Sequence, residues 1–202
     1  MEALEAILTR RSIRKYTDQP VSHEEEEIIL KAAMNAQNGS DRRGWAFVVV
    51  RDTNSINTLS DCVRPNGEPL RRTPMAIVVC GDMRLAIKNW EEFWVQDCSG
   101  AATNLLLAAH SIGLGAVWYG VYPQGHKVKA IQEHLRLPDY IVPLCVIGLG
   151  HPAEIKADLS AERYELNKIH HEIWEENGYE SDCPERKSKK ELEHRPTAAE
   201  SP

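Results

Sequence analysis

The sequence of 202 residues predicts an α/β or α+β domain built around one sheet. Three observations predict it. Stretches with apolar residues at helical spacing alternate with short β-branched apolar runs that read as buried strands. The longest helical stretch is rich in small residues and stops at Gly113, so other elements can approach it closely. Hydrophobic residues make up 42% and charged residues 27%, a balance that suits one globular domain with a single sizeable core.

Leu4, Ile7 and Leu8 lie at helical spacing and predict a short amphipathic helix over 2–9, followed by the basic stretch Arg10-Arg11-Ser12-Ile13-Arg14-Lys15. Pro20 breaks the pattern, and Ser22 with Glu25 forms a capping box for a helix running to Ala36. Trp45 to Val50 reads as a strand, Asn54 to Val63 as a polar helix, Pro65-Asn66-Gly67 as a turn and Met75 to Cys80 as a second strand. The long helix spans Trp94 to Ile112. A short strand over Ala116 to Tyr119, a helix over Lys127 to Leu135 and a strand over Pro143 to Ile147 complete the core. From Asn177 the chain is charged and poor in apolar residues. It is therefore divided into a domain over 1–176 and a flexible tail over 177–202.

Composition and pattern exclude several classes. A net charge of −6 argues against a nucleic-acid surface, and no apolar run can span a bilayer. Glu2 and Glu5 interrupt the N-terminus and no apolar segment follows, so no targeting peptide is expected. The five cysteines are scattered without a CxxC pair, which points to a reducing cytoplasm and to neither zinc nor a disulfide framework. The eight histidines show no ligand spacing, and no metal is expected. Gly113-Leu114-Gly115 is no dinucleotide fingerprint, because it ends a helix and opens a strand, the reverse of the required order.

Three segments suit an anionic, planar, redox-active ligand. Arg10, Arg11 and Arg14, with Ser12 among them, can make charge-assisted contacts to a phosphate; a solvated basic turn is the alternative. The run Gly115 to Gly120 ends at a glycine beside Trp118 and Tyr119, where backbone can lie against a flat ring; a plain buried strand is the alternative. Arg163 supplies a cation from the far end of the chain, or is simply a surface arginine.

Taken in order, Arg10-Arg11-Ser12-Ile13-Arg14-Lys15-Tyr16, the stretch Asn104 to Trp118, and Ile147-Gly148-Leu149-Gly150-His151-Pro152-Ala153-Glu154 resemble the nitroreductase family of flavoproteins, over roughly residues 3 to 175. The resemblance implies an α+β sandwich whose mostly antiparallel sheet is flanked by helices, working as a homodimer with FMN at the subunit interface. It implies Arg10 as phosphate ligand, with Arg11 and Ser12 at the phosphate and ribityl end. Arg14 belongs near the N1/O2 edge, where a cation stabilises the reduced ring. Gly120 is the N5 donor through its backbone N–H, with Trp118 and Tyr119 beside it, and Asn66 reads a polar ring edge. Lys156 and Arg163 are further phosphate ligands.

Gln37, Asn38 and Gly39 stand where the family loop reaches the partner's flavin, and the loop through Gly44 departs from the family pattern. Arg42 and Arg43 within it would favour an anionic substrate; a solvated loop is the alternative. The implied activity passes hydride from NADH or NADPH through FMN N5 to a nitroaromatic, quinone or enone by a ping-pong scheme, with no catalytic side chain. The alternative is an FMN-binding or sensory module without sustained turnover.

Overall fold

A computed structural model of the chain describes residues 1–88, 92–157, 159 and 163–174. The segment 177–202, expected to form a tail, lies outside the described residues. The chain divides into two compact units, Met1–Ser160 and Ala161–Pro202. Within the second, the described residues hold one 3-10 turn at Leu166–Lys168 and a stacked His170–Trp174 ring pair with centroids 3.9 Å apart.

The first unit is ordered α1 (Ala3–Thr9), α2 (His23–Met34), β1 (Trp45–Val50), α3 (Thr53–Cys62), β2 (Met75–Asp82), α4 (Phe93–Ser111), β3 (Gly115–Gly120), α5 (Gly125–Leu135) and β4 (Ile141–Gly150). The strands form one antiparallel sheet in the order β1-β2-β4-β3. α2 starts at the expected capping box. The Ser22 hydroxyl accepts from the Glu25 N–H at 3.2 Å, and the Glu25 carboxylate accepts from the Ser22 N–H at 2.7 Å. Such a cap stabilises a helix by about 0.5–2 kcal/mol.

All eight residues of β2 are buried because the sheet is covered on both faces. One face sets Met75, Ile77, Val79, Ile147 and Leu149 against α2 and α4. The other sets Ala76, Val78, Val117, Tyr119 and Val146 against residues of α3 and α5 and Leu70. α4 presents Cys98, Ala101, Ala102, Leu105 and Ala109, all fully buried, and its small side chains let it pack closely. It ends in a Schellman motif. Gly113 adopts φ +88°, its N–H donates to the His110 carbonyl, and the Leu114 N–H donates to the Ala109 carbonyl.

β2 and β4 run longer than the apolar runs suggest. Gly81, Asp82, Gly148 and Gly150 have little strand preference of their own, yet the ladder carries them. A bulge interrupts the β2–β4 ladder, where Val79 faces Cys145 but Cys80 faces Pro143. The extra residue, Leu144, turns its carbonyl to the N–H groups of both Val121 and Tyr122, fixing the chain as it leaves β3.

Candidate functional site

β3 lies at a sheet edge, and the basic stretch docks along it. Ser12 bridges Ala116 in parallel, and the Ile13 N–H donates to the Ala116 carbonyl at 3.1 Å. Gly115 makes this approach possible, because a β-carbon there would lie 2.7 Å from Ile13 Cγ2. The Tyr16 hydroxyl pins the stretch further, donating to the carbonyls of Ile13 at 2.5 Å and Gly148 at 3.4 Å. Burial pushes that phenol far above its usual range, so it stays a donor.

The C-terminal end of β3 opens into a cleft of about 620 Å³ lined by Arg14, Asn66, Trp118, Tyr119, Gly120 and Lys127, among others. Five of these six were expected from the sequence, and the fold brings them together. A β-carbon on Gly120 would meet no atom within 4 Å, so the glycine leaves open space over its backbone. Tyr119 is only 5% exposed and its hydroxyl has no partner among the described residues. Burial pushes its phenol up to about 12, and the Arg14 cation partly opposes that rise. Among the described residues no carboxylate lines this cleft.

A second cleft of about 450 Å³ includes Arg11, His110, Gly113, Glu154 and Lys156. Arg11 is tied to the main chain, donating to the carbonyls of Leu8 at 3.0 Å, Arg10 at 2.8 Å and Ala157 at 3.0 Å. Glu154 accepts from the Arg14 N–H at 2.6 Å, the Lys15 N–H at 3.2 Å and the Lys156 ammonium at 2.8 Å. The Lys156 hydrogen bond and then the Arg14 N–H hold the Glu154 carboxyl below its usual range. Arg10 is half-buried beside these groups in sequence, and Arg163 is exposed in the second unit.

Gln37, Asn38 and Gly39 line neither cleft. Their loop is held in an unusual conformation, with Ser40, Asp41 and Arg43 all at positive φ. The Gly39 N–H donates to the buried Asp97 carboxylate at 2.9 Å, and Asn38 Oδ1 accepts from the Arg43 N–H at 2.9 Å. Arg43 pairs with Asp41 through two hydrogen bonds of 2.8 Å, whereas Arg42 is exposed.

Comparison with known proteins decides the kinship. The model of the nitroreductase family matches residues 7–66 and 63–151. The chain belongs to the nitroreductase family. A Methanothermobacter thermautotrophicus relative named "Putative NADH dehydrogenase/NAD(P)H nitroreductase" is 45% identical over 174 residues, covering 86% of this chain and 88% of its own. A crystal structure from Parabacteroides distasonis under the same name superposes with a TM-score of 0.79 at 42% identity, covering 85% of this chain and 98% of that one. An FMN-dependent nitroreductase from Clostridium difficile superposes with a TM-score of 0.78 at 33% identity, covering 85% and 99%. The antiparallel sheet between helices is thus the nitroreductase fold.

Sequence reasoning did not single out Lys127 in the first cleft, Glu154 as an anchor of the basic stretch, or Asp97 beneath the Gly39 loop. Lys127 left one signal, a lysine in the first turn of a helix, where the helix dipole disfavours a cation. Among the described residues no group of His, Cys, Asp and Glu could hold a metal, and no helix is long and apolar enough to cross a membrane.

Proposed function

We propose that the chain is an FMN-dependent oxidoreductase that passes two electrons from NADH or NADPH to a small oxidised acceptor such as a nitroaromatic, quinone or enone. The observation that carries this reading is the open space over Gly120 in a cleft that holds Arg14 and, among the described residues, no carboxylate. A flat ring with an anionic reduced edge fits such a cleft. FMN, when bound, supplies the two-electron chemistry, and no acidic or nucleophilic side chain is required.

The residues of this chain bind and orient. Arg10 and Ser12 hold the phosphate and ribityl end, and Arg11 fixes the backbone of that segment through its three carbonyl contacts. Lys156 completes the phosphate end. Arg14 neutralises the N1/O2 edge, Asn66 reads a polar ring edge, and Trp118, Tyr119 and the Gly120 N–H line the ring. Gln37, Asn38 and Gly39 serve the site of a second copy in a homodimer. Leu4, Ile7 and Leu8 on α1 are exposed, which is apolar surface of the kind a second copy covers. Donor and acceptor use one cleft in turn, so the kinetics are ping-pong. The described cysteines are all free, which suits a reducing cytoplasm.

The visible spectrum of the purified protein tests the reading. A yellow protein bleached anaerobically by NADH or NADPH and restored by an acceptor is expected. A colourless protein that FMN does not reconstitute would overturn it. A yellow protein that never turns over would mark a binding module instead. Arg10→Ala should weaken FMN retention by about 1.5–3 kcal/mol, the value of a charged hydrogen bond.

A further inference from the structure

Lys127 occupies a position that folding alone does not explain. Its residue is only 7% exposed, and it lines the Arg14–Gly120 cleft. Among the described residues no carboxylate lines that cleft, and no side-chain hydrogen bond or ion pair joins Lys127 to another. Its stem is packed into the wall while its ammonium, which is not sealed from solvent, is left to the cleft. The position carries a cost of its own. Lys127 sits in the first turn of α5, with Gln124 as N-cap, so its cation stands at the positive end of the helix dipole. Nothing in the turn offsets this: the Gln124 side chain makes no cap and no acidic residue follows. Gln124 itself lines the cleft, so the uncapped helix end and the lysine face the same space. An anion bound there relieves that cost and pairs the lysine.

Arg14, brought from the opposite end of the first unit's sequence, lines that space too. Among its described residues the cleft therefore carries two cations and no anion, in a chain whose net charge is −6. We propose that Lys127, with the uncapped N-terminus of α5, is a second cationic contact of the flavin ring, stabilising with Arg14 the edge that becomes anionic on reduction. The proposal rests on the FMN reading above and adds to it a residue that sets the reduction potential. A cation of this kind favours the reduced ring over the oxidised one, and so makes the cofactor easier to reduce.

The test compares wild type, Lys127→Met and Lys127→Arg, measuring FMN affinity by titration and the flavin potential by anaerobic dye equilibration. Lys127→Met should bind oxidised FMN within about threefold of wild type, while its preference for reduced over oxidised FMN falls about tenfold, or about 30 mV for a two-electron couple. Lys127→Arg should restore most of that shift, which a purely structural role would not predict. An unchanged potential in flavin-loaded Lys127→Met overturns the proposal and leaves the FMN reading intact. A raised KM for NADPH at unchanged potential also overturns it, assigning the lysine to the dinucleotide instead. A wild-type protein that binds no FMN overturns both. Should Lys127→Met fail to fold, Lys127→Gln supports the same measurements.

Discussion

Ile13 packs so closely on Gly115 that a β-carbon there would lie 2.7 Å from its Cγ2 and 2.8 Å from its Cβ. That contact seats the basic stretch on the edge of β3, so the glycine is needed for the position of a neighbour rather than for its own conformation. Gly115→Ala should destabilise the protein by about 1–3 kcal/mol, the cost of overpacking, and should also weaken FMN binding. Thermal denaturation and flavin titration check the two effects together.

Gly120 is the contrasting case. A β-carbon there meets nothing, so Gly120→Ala should leave the stability of the flavin-free protein within about 0.5 kcal/mol. The methyl group would instead occupy the space assigned to the ring, weakening FMN binding by about 1–3 kcal/mol. Equal FMN affinity in the two proteins would remove the glycine from the site.

Asp97 holds the strained loop after α2 through the Gly39 N–H. Asp97→Ala leaves that donor without its acceptor and should cost about 1–3 kcal/mol in denaturant unfolding. Asp97→Asn keeps an acceptor and should cost less. If the two variants unfold alike, the hydrogen bond is not what positions the loop.

Glu154 makes binding sensitive to acid. Its carboxyl is held below the usual range by Lys156 and the Arg14 N–H, so it contributes stability above the ordinary glutamate pKa. That contribution is lost as pH falls through the lower folded value, and with it the anchor of Arg14 and Lys15. Flavin retention should therefore weaken at the acid end of this window, and Glu154→Gln should flatten that part of the profile. A series of flavin titrations from about pH 7 to about pH 3 measures it.

Much of the fold was legible because its signals are local. Trp45–Val50 is a β-branched run and forms the strand as read, and Ser22 with Glu25 makes the cap their spacing calls for. The ends of β2 and β4 were not legible. Gly81, Gly148 and Gly150 join strands only because neighbouring strands pair with them, which is a tertiary effect. The site divides the same way. Arg14, Asn66, Tyr119 and Gly120 could be named from motifs, and they meet in one cleft. The backbone ties of Arg11 could not, since its partner Ala157 lies 146 residues away. Lys127 needed the fold as well, because its burial depends on the walls of the cleft and its own segment reads as an ordinary amphipathic helix.

The docking of Ser12 and Ile13 on Ala116 has a consequence beyond ligand binding. β3 is the last strand of its sheet, and an uncovered outer strand is a template on which other chains can polymerise. The basic segment, proposed above to hold the phosphate, is also the guard rail of that strand. Variants that loosen it should therefore lose solubility along with colour, and poor flavin loading in this protein should go together with aggregation.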